Sequence, residues 1–125
     1  MKVNEILNES TSKPRKLPKK LQLALAQAKN DVVSTVNRWA QNLQDEYGPL
    51  EDWPGSLGQE LSTDAENEIE NVFYPIFANN DIISEYGWEY DIDEMDELAD
   101  ILNEICTNYP GTIQEALCSN MLQAL

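Results

Sequence analysis

The sequence predicts an all-α protein, a small helical bundle of four to five helices behind a flexible basic N-terminal tail. Apolar residues recur at steps of three and four along most of positions 19–125, and Gly-Pro and Pro-Gly pairs separate these runs into helix-length segments. The 125 residues, 42% of them hydrophobic, suffice for one core and leave no chain for a second domain.

Positions 1–18 read as tail, holding Ser10, Thr11, Ser12, Pro14, Pro18 and the cluster K-P-R-K-L-P-K-K, whose prolines oppose helix until Lys19. Positions 19–125 then form a single acidic helical domain. Its first helix, Lys19–Tyr47, carries Leu21, Leu25, Ala28, Val32, Val36, Trp39, Leu43 and Tyr47 on one stripe, and Gly48-Pro49 ends it. Positions 48–61 are expected to be a loop whose Trp53 folds back on the core, since an exposed indole is costly. Thr63, with Glu66 three residues on, has the capping-box relation of a second helix start, and Pro75 should kink that helix or split off a terminal turn.

After the break at Asn79-Asn80-Asp81, positions 81–90 could be a short helix capped by Gly87 or an extended piece. Asp91 or Asp93 caps the next helix, whose stripe is Met95, Leu98, Leu102, Ile105 and Tyr109, and Pro110-Gly111 stops it. Thr112 with Glu115 repeats the capping box before Ile113, Leu117, Met121 and Leu125.

Charge is divided along the chain. All eight basic residues lie within the first 38 positions, giving that stretch a net +5, while the remaining 87 residues carry −20, for −15 overall and an isoelectric point near 4.1. So anionic a body is not expected to lace its surface with internal ion pairs, and it invites a basic partner to screen it. Direct binding of nucleic-acid phosphates by the folded domain is excluded on the same ground. With no histidine, imidazole acid–base chemistry and His-ligated zinc are excluded too. Cys106 and Cys118 lack the close pairing of a redox or zinc motif and are expected to be buried free thiols. No apolar run is long enough for a membrane span or a secretory signal.

The sharpest local pattern is Asp93, Glu97, Asp100 and Glu104, carboxylates at steps of four, three and four and hence in one row on a helix, supported by Glu66 and Glu70 on the preceding one. Such rows can imitate the phosphates of a nucleic-acid backbone in front of a basic groove. The alternative is a solvated face opposite the apolar stripe. D-I-D-E-M-D opens like a calcium loop, but counted from Asp91 the sixth and twelfth places hold Asp96 and Leu102 instead of Gly and Glu. Glu94, Glu97 and Asp100 have the E-x-x-E-x-x-D spacing of helical magnesium-dependent nucleotide hydrolases, without that spacing on a second helix or nearby cations for phosphate. No metal ligands, cofactor or catalytic residues are assigned, and an enzyme is not expected.

The opening M-K-V-N-E-I-L-N-E resembles the capsid-targeting leaders of T-even-type phage internal head proteins. The resemblance covers nine residues. It implies packaging into a prohead and cleavage after Glu9, with Leu7, Asn8 and Glu9 as recognition residues and 1–9 as a cleavable leader. Ile83-Ser84-Glu85, Ile92-Asp93-Glu94, Leu102-Asn103-Glu104 and Ile113-Gln114-Glu115 fit the same tripeptide, but only the first copy lies in the predicted tail. Internal proteins of this type tend to be basic, and the acidic body departs from that.

These features support three functional expectations. The first is a small non-enzymatic acidic interaction protein, phage-encoded and resident in the host cytoplasm, binding a basic site on a partner protein, with a nucleic-acid-binding host or phage protein as the natural target of a mimic or inhibitor. The second is a virion internal protein, and the third is the carboxylate magnesium hydrolase.

Overall fold

The computed structural model describes residues 17–125, so the leader residues Leu7, Asn8 and Glu9 and most of the predicted tail lie outside the described residues. From Lys19 onward the secondary structure is helical: α1 (Lys19–Tyr47), a 3-10 turn (Leu50–Asp52), α2 (Leu57–Glu68), a π-helical turn (Ile69–Phe73), α3 (Tyr74–Ala78), α4 (Asp81–Gly87), α5 (Glu94–Asn108) and α6 (Ile113–Ala124). Because α2, the π turn and α3 run on without a break, five helical rods result, as the periodicity predicts.

Helix α1 is long because nothing interrupts its apolar stripe between Pro18, whose ring and ψ of 148° cannot continue a helix backwards, and Gly48, whose φ of +80° ends it. It buries Leu21, Ala24, Ala28, Val32, Val36, Ala40 and Leu43 and packs on α3, α4, α5 and α6. Two adjoining cores share that stripe. The larger joins Leu21–Val36 positions to Phe73, Phe77, Ile83, Leu98, Leu102, Cys118 and Met121; the smaller joins Ala40 and Leu43 to Leu57, Leu61, Ile113 and Leu117.

The second rod begins at Leu57, not at Thr63. Pro54 O accepts the Leu57 N–H at 3.0 Å, and Leu57, Leu61 and Ala65 at helical spacing are all buried. Burial of that stripe on α6 outweighs the capping signal at Thr63, whose hydroxyl instead donates back to Gln59 O at 3.3 Å from inside the helix. Pro75 neither ends the rod nor splits off its last turn; a π turn accommodates it. Proline offers no N–H to the carbonyl four residues back and crowds it, and the wider turn, with Tyr74 N–H bonded to Ile69 O, absorbs the mismatch. Phe73 and Phe77 stay fully buried.

Residues 81–87 are helical. Asn80 caps them, its side-chain oxygen accepting from the N–H of both Ile82 and Ile83 at 3.0 Å. The Thr112 box forms in shifted register: Thr112 Oγ1 accepts from Glu115 N–H at 3.2 Å, but Glu115 Oε1 returns to Gly111 N–H at 2.7 Å. Cys118 is buried as expected and its thiol is pushed up to about 12 by burial first and Cys106 second, whereas Cys106 is only half-buried at the α5–α6 seam.

The direction of α1 relative to α5 fixes the layout of the surface. Asn37 meets Gln114 beside the α5–α6 turn, Lys29 meets Glu104, and Leu25 and Ala26 lie across a groove from Glu97, Asp100 and Ile101. The two helices therefore run the same way, and their N-terminal ends share one end of the bundle with α4.

Candidate functional site

Helix α5 carries the predicted row, but its members do different things. Asp93 is the N-cap, with Oδ1 accepting from Met95 N–H at 2.8 Å. Glu94, Asp96 and Glu97 fill the first turn, where the positive end of the helix dipole favours them and offsets part of their mutual repulsion. Glu97 is half-buried, and its carboxyl sits above the ordinary value, from burial first and then from Asp100 and Asp96.

Asp100 and Glu104 border a groove of about 260 Å³ whose floor is Leu25, Ala26 and Ile101. At its far end Lys29 Nζ lies 2.5 Å from Glu104 Oε1. The acidic segment beyond Arg38, which has no cation of its own, thus takes one from outside itself. Lys29 comes from the basic first third of the chain, which α1 lays alongside α5. The pair is roughly half-exposed on both sides and so contributes little, of order 0–1 kcal/mol, but it neutralises one of the four row members.

Glu66 and Glu70 do not extend the row. They line a separate hollow of about 320 Å³ with Ile69, Tyr74, Met95 and Leu125, on the opposite side of α5 from the groove. The two acidic sets approach each other around Tyr74. Its phenol is raised by burial first, then by Glu94, Asp93 and Glu70. The E-x-x-E-x-x-D series fans out accordingly, with Glu94 toward Tyr74 and Glu97 and Asp100 toward α1. Among the described residues, no three His, Cys, Asp or Glu side chains converge as a metal-ligand set.

The most distinctive surface lies in the turn between α4 and α5. Trp88 is 90% exposed, and its indole has no hydrogen bond or ring partner among the described residues. It stands over a shallow depression of about 750 Å³ lined by Gly87, Ile92, Asp91, Asp93, Glu94 and Asp96. The backbone holds it there. Asp91 takes a left-handed φ of 55°, which Asp tolerates better than most residues, and Ile92 N–H closes back on Gly87 O at 2.8 Å. Ile92 then turns into the main core, and Trp88 stays outside.

Sequence periodicity misses Trp88 because it belongs to no apolar stripe. A signal is nevertheless present: a tryptophan next to a helix-ending glycine, with Glu85, Glu89, Asp91 and Asp93 around it. Such a residue has no place in a core, and tryptophan is the side chain that most often anchors a protein interface.

The chain matches no protein-family model, no curated protein and no solved structure. No helix among the described residues is long and apolar enough to cross a membrane.

Proposed function

We propose that this is a small non-enzymatic interaction protein that binds a basic site on a partner protein through the α4–α5 corner. Trp88 is the apolar anchor, and Asp91, Asp93, Glu94 and Asp96 are the charged surround. The observation that carries the reading is Trp88 itself, nine-tenths exposed over a depression whose described lining includes Asp91, Asp93, Glu94 and Asp96. An indole left in water is unfavourable for an isolated domain but becomes the centre of a contact when a partner covers it. The surrounding charge steers a basic surface toward it and repels acidic ones.

Glu97 and Asp100 continue the acidic surface along α5 as a secondary contact, with Glu104 already engaged by Lys29. Alternating carboxylates on a helix suit a groove built for phosphates, so a nucleic-acid-binding protein, blocked by mimicry, is the proposed class of partner. The leader resemblance makes a phage the proposed source.

The test is retention of basic proteins on the immobilised full chain. Binding is expected at low ionic strength and release at about 0.5 M salt, where the screening length falls to a few ångströms. Trp88→Ala should weaken the retained complex about 30-fold, the effect of losing a hot spot of about 2 kcal/mol. Glu94→Lys with Asp96→Lys should abolish it, and Asp100→Lys with Glu104→Lys should weaken it less. Retention that survives the first two variants unchanged would end the proposal.

A further inference from the structure

We propose that the Trp88 surface has an occupant within the same chain: the cationic segment of residues 13–16, Lys13-Pro14-Arg15-Lys16, docks on it when no partner is bound. The inference deepens the function proposed above and shares with it the premise that this surface receives cations.

Three observations choose this occupant. The first is position. Leu17 and Ile92 pack on the same core, and Ile92 is part of the floor beneath Trp88. Since α1 and α5 run in the same direction, the chain preceding Leu17 enters at the end of the bundle that presents Trp88. Pro18, extended at φ −56° and ψ 148°, turns that chain off the axis of α1. Residues 13–17 span at most roughly 14 Å when extended, so the cations stay tethered close to the corner.

The second observation is charge. Half of the chain's basic residues precede Leu17, with Lys13, Arg15 and Lys16 clustered. Among the described residues, the depression is lined by four carboxylates and no cation. The third is chemistry. An exposed indole face is the preferred partner of a guanidinium or ammonium group, and carboxylates at its rim can take the N–H donors that stacking leaves over. A short tether raises the segment's local concentration to about the millimolar range, so weak individual contacts suffice. Docked in this way, the segment competes with a basic partner and sets a threshold that the partner must exceed.

The readout is acrylamide quenching of Trp88 fluorescence in the full chain, isolated from Trp39 and Trp53 by subtraction of the Trp88→Phe protein. At low ionic strength Trp88 should be shielded. Its quenching constant should rise about threefold at about 0.5 M salt, which screens the attraction. The variant Lys13→Ser/Arg15→Ser/Lys16→Ser should show the high-salt value already at low salt, with an unchanged circular dichroism spectrum.

Equal quenching in the wild type and this variant at low salt would overturn the inference. Shielding that grows with protein concentration would overturn it as well, by assigning the occupant to a second copy. If a synthetic peptide of residues 10–20 shields Trp88 in the variant while the wild-type chain remains unshielded, self-docking fails. The surface's preference for cations, and with it the proposed function, would stand.

Discussion

A tryptophan from another part of the chain lies toward each end of the bundle that α1 spans, and the fold treats the two in opposite ways. At the C-terminal end Trp53 is half-buried against the smaller core, its indole N–H donating to Gly48 O at 3.0 Å and its ring edge-on to Tyr47 at 6.5 Å between centroids. At the N-terminal end Trp88 is 90% exposed and has none of these contacts. The first closes the fold, as an indole usually does when its N–H finds a carbonyl. The second makes no such contact among the described residues, and the proposed function gives it an occupant instead. Under the proposed function, stability and recognition fall at opposite ends of the bundle.

The sharpest way to break this comparison is to truncate both residues. Trp53→Ala removes packing, a ring contact and the partner of a loop carbonyl, and should destabilise by about 2–3 kcal/mol, somewhat below the range for a fully buried tryptophan. Trp88→Ala should leave stability within about 0.5 kcal/mol, as at other surface sites. Urea unfolding of the two variants checks this. A Trp88→Ala loss comparable to that of Trp53→Ala would return Trp88 to the fold and remove its claim as a contact residue.

A smaller effect separates the carboxylates of the corner from one another. Asp93 caps α5, and Asp93→Ala should cost about 1 kcal/mol. Asp96→Ala, three residues on and exposed, should cost only a few tenths of that through the lost helix-dipole interaction. Equal losses would mean that the corner's charges act collectively on the fold and are not divided between a cap and a recognition surface.

Much of this arrangement is legible in the sequence, and the parts that are not share a physical cause. The α1 stripe, the Pro110-Gly111 stop and the Asp93 and Thr112 caps are local, so spacing and residue type suffice to place them. The start of α2 is not local. Thr63 and Glu66 make a good cap signal, and only the burial of Leu57 and Leu61 against α6, more than fifty residues away in sequence, overrides it. The acidic row is readable as a row, but its division is not. Asp93 belongs to a cap, Glu104 to Lys29, and Glu66 and Glu70 to a hollow on the other side of α5, because each is claimed by an element far off in the chain. Trp88 leaves the opposite trace: it fits no stripe, and that misfit goes with its exposure.

The finest distinction concerns Glu97, which lies between the two uses of α5, and it can be read through pH. Its carboxyl is raised in the folded state, by burial first and then by Asp100 and Asp96. The native protein therefore holds this proton more tightly than the unfolded chain does, and stability falls as pH rises from the ordinary carboxylate range through the raised value. Above that window the full penalty is present; below the ordinary value it is gone. Glu97→Gln, which keeps the shape and removes the charge, should stabilise the protein at neutral pH by a few tenths of a kcal/mol, about what like charges three or four residues apart cost a helix. The gain should shrink toward zero on acidification, measured as the difference in melting temperature between variant and wild type at each pH. The helix dipole favours a negative charge at this position. A destabilised Glu97→Gln protein would therefore mean that the dipole outweighs burial, and that Glu97 belongs with Asp93 among the charges that build the fold.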